Sequence, residues 1–192
     1  MSLRTTRLLG FAGIAGALVV TINLWLLSKS SPQVIFIKPF LSLGQITALL
    51  GATLLSLDYE LAARLHFLEP YFGGLDRMYL AHRLLGVGGF ISIIYHPIFL
   101  AVNSFGTSGD ALLYIVPSSN LAYSLGVFAL YGYIILIAAT LFIKLPYHLW
   151  KLSHTLMGIP LVLYAAHIFF IPSDTSRYMP LRMWMLGLAA VG

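Results

Sequence analysis

Apolar residues run through this chain in six blocks separated by short polar stretches. Residues 8–27, 40–57, 77–101, 121–143 and 150–172 each approach or exceed the roughly 20 residues that carry a helix across a bilayer. A sixth block, 180–192, is shorter and predicts either a re-entrant segment or a span that continues past Gly192 in a longer protein. Between them, 28–38 and 173–179 read as short loops, and 102–120 as a loop without Lys or Arg. Residues 58–77 hold most of the acidic side chains, and Pro70 with Gly73 and Gly74 interrupts any helix there, so this stretch reads as an interfacial loop. The pattern predicts an all-α polytopic membrane protein: one transmembrane domain over residues 1–192, built as a six-helix bundle.

Composition removes the alternatives. Hydrophobic residues make up 59% of the chain and charged residues only 9%, against roughly a quarter charged in a globular domain. Membrane lipid is therefore the expected surrounding, and with no basic run, nucleic acid is not an expected partner. The absence of cysteine rules out disulfides, iron–sulfur clusters and thiolate ligation, leaving histidine as the main candidate metal ligand.

The cations set an expected orientation. Arg4, Arg7, Arg64, Arg77, Arg83, Lys144 and Lys151 fall on one side of the predicted bundle, and Lys29, Lys38, Arg177 and Arg182 on the other. Positive residues favour the cytoplasm, so the N-terminus is expected inside, in a plasma or inner membrane. The third and fifth spans then both run outward.

Those two spans carry the chemistry. His82 and His96 lie in the third, His154 and His167 in the fifth, where ionisable groups are costly and rarely idle. A spacing of 14 residues puts His82 and His96 roughly 21 Å apart and within about 40° of one helix face. Parallel helices pair His82 with His154 near the inner surface and His96 with His167 near the outer one. Two imidazoles from facing helices are the usual axial pair of a six-coordinate, electron-transferring haem, so two stacked b-type haems are expected. A proton relay or plain interhelical hydrogen bonds are the competing uses.

Gly86 and Gly158 each lie four residues beyond an inner histidine, where a flat ring needs room. Arg83 is placed to pair with the propionates of the inner haem, and Arg177 or Arg182 with those of the outer. On a straight helix the 13-residue spacing of His154 and His167 turns them about 140° apart; Pro160 between them predicts a distortion. His66 and His148 read as surface residues. Phe90, Tyr95 and Tyr164 fall between the two levels and read mainly as packing.

The spacing of His82 and His96 on the third span and of His154 and His167 on the fifth resembles the transmembrane haem domains of the ferric reductase and NADPH oxidase superfamily. Similar contexts surround them, Leu75-Asp76-Arg77 before His82-Arg83-Leu84-Leu85-Gly86 and Leu145-Pro146-Tyr147-His148-Leu149-Trp150 before His154. The resemblance implies an oxidoreductase. Electrons from cytosolic NADPH or NADH would pass through FAD in a C-terminal domain beyond residue 192, then through the inner and outer haems, to oxygen or ferric iron outside. Leu100 and Pro160 stand where superoxide-forming members carry a histidine and an aromatic residue. The alternative is a stand-alone dihaem cytochrome b passing electrons between quinol or a flavoprotein and a periplasmic partner.

Overall fold

The computed structural model describes residues 8–105 and 110–192. Among them, ten α-helices and one 3-10 turn form, and there is no strand: α1 (Leu9–Leu27), α2 (Gln33–Ile37), α3 (Pro39–Ala62), α4 (Glu69–Phe72), α5 (Leu75–Phe105), the 3-10 turn Ala111–Tyr114, α6 (Leu121–Phe142), α7 (Tyr147–Thr155), α8 (Gly158–Phe170), α9 (Asp174–Arg177) and α10 (Met179–Val191). Five segments are long and apolar enough to cross a membrane, namely α1, α3, α5, α6 and the run 147–170 made by α7 and α8. The sixth predicted span is the 13-residue α10. Arg4 and Arg7 lie outside the described residues.

Local chemistry marks the ends. Pro39 and Pro180 occupy first-turn positions of α3 and α10, where the missing N–H costs nothing. The Asn120 side chain accepts a hydrogen bond from the Ala122 N–H at 3.1 Å and caps α6. Gly73 takes a left-handed φ of 80° to end α4, and Gly74 follows at 121°, which turns the chain into α5.

Three predicted boundaries are corrected. The interfacial loop begins later and ends sooner than expected, because α3 continues to Ala62 and α5 starts at Leu75. Leu55 and Leu61 keep the apolar face of α3 buried through this extra turn, so Asp58, Tyr59 and Glu60 are helical despite their polarity. At its other end α5 runs to Phe105, past the predicted limit at 101.

The fifth span is broken. Leu156 and Met157 separate α7 from α8. Pro160 has no N–H to offer the Leu156 carbonyl, which takes the Ile159 N–H at 3.0 Å instead, and the Met157 N–H reaches back only three residues, to His154, at 3.2 Å. The Tyr59 hydroxyl on α3 donates to the Met157 carbonyl inside the break. A turn of three residues advances about 120° per residue rather than 100°, which rotates His167 toward the face of His154.

Helices α3 and α5 pack antiparallel through small residues: a Cβ on Gly51 would lie 2.7 Å from Ile93, and one on Gly89 2.8 Å from Leu55. Helices α6 and α8 do the same where a Cβ on Gly132 would lie 2.8 Å from the Pro160 ring. Trp25, Leu49, Leu55, Tyr133, Tyr164, Leu181 and Met185 form the main core, joining α1, α3, α6, α8 and α10. Polar contacts pin these helices together, with Trp184 donating to Thr21 at 2.8 Å and Thr21 bonded to Thr53 at 2.9 Å. A second core of Leu61, Phe72, Met78, Ala81 and Leu85 closes the end nearest His82. Large apolar side chains such as Val19, Ile91, Ile135 and Val162 face outward, as a lipid-facing surface requires.

Candidate functional site

The four span histidines fall into two pairs at opposite ends of the bundle. The rings of His82 on α5 and His154 on α7 face each other edge to face, with centroids 6.0 Å apart. At the other end, His96 on α5 and His167 on α8 line one cavity of about 310 Å³, together with Tyr133, Tyr164 and Arg177.

Three of the four rings present Nδ1 to an oxygen. His96 Nδ1 is 2.8 Å from the Gly44 carbonyl and His167 Nδ1 is 2.7 Å from the Ala122 carbonyl. A carbonyl can only accept, so each Nδ1 carries the proton and each Nε2 keeps its lone pair. His82 Nδ1 lies 2.8 Å from Asp58 Oδ1, an approach bent away from the line of a straight hydrogen bond. The Nδ1 of His154 is buried and has no hydrogen-bond partner among the described residues; its ring is instead stacked on Trp150, 5.2 Å between centroids and 17° between planes.

Metal-binding imidazoles commonly have their second nitrogen held by a carboxylate or carbonyl that fixes the tautomer, as Nδ1 is held in His96 and His167. Two metal–nitrogen bonds of about 2 Å, with about 1 Å from each nitrogen to its ring centre, put the centroids of two opposed ligands about 6 Å apart. The His82–His154 separation matches that figure. Among the described residues, no group of three or more His, Cys, Asp or Glu side chains could hold a bare ion. Each pair supplies two imidazoles, so a metal held there would have to bring its remaining ligands with it.

The other expected residues are distributed unevenly. Arg83 is exposed at the His82 end. Arg177 lines the His96–His167 cavity and pairs with Asp174 at 3.3 Å. Arg182 turns away, its guanidinium donating to the Phe169 carbonyl at 2.9 Å and lying 4.5 Å over the Phe169 ring. Around Gly158 there is open space, whereas a Cβ on Gly86 would come within 3.0 Å of Asp58 Oδ2. Gly86 thus makes room for a carboxylate. His66 and His148 are exposed, and so is Tyr95, which stacks on Phe99, while Tyr164 is buried and hydrogen-bonded to Ser56.

Sequence reasoning missed Asp58, the Gly44 and Ala122 carbonyls, Gly126 and Trp150. Trp150 was legible, four residues before His154 on one helix. Gly126 gives room for an imidazole, since a Cβ there would lie 2.8 Å from His167 Nδ1.

A family model described as ferric reductase like transmembrane component matches residues 47–165, more than half of the chain. The chain belongs to that family. The match includes His82, His96 and His154 and stops two residues before His167. No curated protein and no solved structure matches the chain. Family and fold together make this a multi-pass membrane protein of the oxidoreductase class, built for electron transfer across the membrane.

Proposed function

We propose that the chain carries electrons across the membrane through two b-type haems, with His82 and His154 as axial ligands of one and His96 and His167 of the other. The observation that carries this reading is the shared use of Nδ1. His96 and His167 have that nitrogen hydrogen-bonded to a carbonyl, so Nε2 is left as the Lewis base on each, and His82 has the same nitrogen beside Asp58. Plain helix-to-helix hydrogen bonding accounts for the Nδ1 contacts of His96 and His167, and the 6.0 Å between the His82 and His154 ring centroids is also compatible with a metal between them.

Bound haem would supply reversible one-electron chemistry. The protein's part is to hold the imidazole tautomers, keep both sites within an apolar bundle, and offer Arg83 and Arg177 to the propionates at the two ends. The engaged guanidinium of Arg182 makes it the weaker candidate for that role.

In this reading electrons enter at the His82 end, from NADPH or NADH through FAD held by a flavin-bearing domain or subunit in the cytosol. They leave at the His96 end to oxygen or ferric iron. The distribution of cations supports the orientation, with the N-terminus cytoplasmic in a plasma or inner membrane. Arg64, Arg77, Arg83, Lys144 and Lys151 belong to the His82 end, whereas at the other end Lys29 and Arg177 are drawn to Asp174.

The pairing is tested by redox titration of four alanine variants. His82→Ala and His154→Ala are expected to remove the same one of two spectral transitions, and His96→Ala and His167→Ala the other. Loss that crosses the pairs, as when His82→Ala and His167→Ala remove the same transition, contradicts the assignment.

A further inference from the structure

The two histidine pairs differ in what stands behind them. At the His96–His167 pair both Nδ1 atoms face neutral backbone carbonyls, those of Gly44 and Ala122. At the His82–His154 pair one ring has a carboxylate beside it, Asp58, with Oδ1 2.8 Å from His82 Nδ1 but off the line of a straight hydrogen bond. Asp58 is seated there by the fold. Its side chain is only 13% exposed, on the turn by which α3 outlasts its predicted end. Across from it, Gly86 clears the space that Oδ2 occupies, 3.0 Å from where a Cβ would be. The other imidazole at this pair, His154, has its own Nδ1 unpartnered among the described residues, so it does not compete for the carboxylate.

From this asymmetry we infer that Asp58 is a positioning residue for His82, and that it makes the His82–His154 haem the lower-potential member of the pair. The inference rests on the dihaem reading above. A negative carboxylate beside Nδ1 orients the ring by its charge and increases electron donation from Nε2, which favours the oxidised metal; a neutral carbonyl does so less. With haem held at both pairs, Asp58 would thereby favour transfer of one electron from the His82–His154 site to the His96–His167 site. No proton moves in that step.

The test is potentiometric titration of the haem-loaded chain, wild type against Asp58→Asn, followed optically and by low-spin ferric resonance. Two couples are expected in the wild type, the lower one being the couple lost in His154→Ala. In Asp58→Asn the lower couple is expected to rise by at least a tenfold change in the reduction equilibrium, about 59 mV for one electron, while the upper stays fixed. Unchanged couples with both haems bound overturn the inference and leave the dihaem reading standing; a wild-type chain that takes up no haem overturns both.

Should the asparagine variant shed its haem, His82→Gly filled with free imidazole or 1-methylimidazole decides the matter. Imidazole retains an N–H for Asp58 and 1-methylimidazole has none. A lower couple with imidazole is the expected result, and equal couples with the two ligands overturn the role of Asp58.

Discussion

The Trp150 indole lies flat on the His154 imidazole, 17° from coplanar and 5.2 Å between centroids, and Tyr147 stacks on its far side at 6.0 Å. Among the described residues no oxygen partners the buried His154 Nδ1, and the stack takes over the task of fixing its ring. An aromatic pair of this kind contributes about 0.5–1.5 kcal/mol beyond burial. Trp150→Ala is expected to weaken retention of the haem at His82 and His154 by roughly two- to tenfold, with Trp150→Phe recovering most of it. Competition with apomyoglobin for haem measures the effect, and the His96–His167 site should be unaffected.

Gly126 is the corresponding point at the other pair. A Cβ there would lie 2.8 Å from Nδ1 and 2.9 Å from Cε1 of His167, so the ring has to leave its bond to the Ala122 carbonyl. Overpacking typically costs about 1–3 kcal/mol. Gly126→Ala is expected to weaken haem binding at His96 and His167 by roughly five- to 150-fold and to spare the His82–His154 haem, which resolved redox titration would show.

Pro160 sits where the winding of the fifth span changes and turns His167 toward the side of His154. Pro160→Ala restores an N–H for the Leu156 carbonyl, straightens the span, and returns the two rings toward the roughly 140° separation of an ideal helix. Helical content by circular dichroism is expected to hold or rise while haem per chain falls. Unchanged haem content would mean that the break does not align the ligands.

Much of this was legible in the sequence. Hydropathy located all five long spans, because lipid demands apolar side chains without regard to packing detail. The periodicity of His82 and His96, and the misfit of His154 and His167, followed from helix geometry alone, and Pro160 indicated where the winding had to change. The break falls at Leu156 and Met157 because proline deprives the carbonyl four residues upstream of its partner. Asp58 was hidden by its neighbours: a run of acidic and aromatic residues next to a Pro-Gly stretch resembles a loop, and its seat becomes visible only once α3 and α5 are packed with Gly86 against it. The Gly44 and Ala122 carbonyls leave no side-chain signal.

Lys29 closes the His96 end. Its ammonium meets Asp174 at 2.5 Å, with 6% and 11% of the two side chains exposed, and lies 4.8 Å over the Trp25 ring. Removing one partner of a buried pair costs about 3–5 kcal/mol because the other charge is stranded. Lys29→Met is expected to lower the thermal midpoint of the detergent-solubilised protein markedly, and adding Asp174→Leu should recover much of the loss. Equal midpoints for Lys29→Met and wild type would show that Arg177 alone satisfies Asp174.

Whether four span histidines hold two haems is read from the haem-to-chain ratio of the purified protein, measured as the pyridine haemochrome alongside a reduced-minus-oxidised spectrum. Two b-type haems per chain is the predicted result, falling to one in any single histidine-to-alanine variant. A chain that folds with haem supplied and binds none, or that binds equally in all four variants, would contradict it.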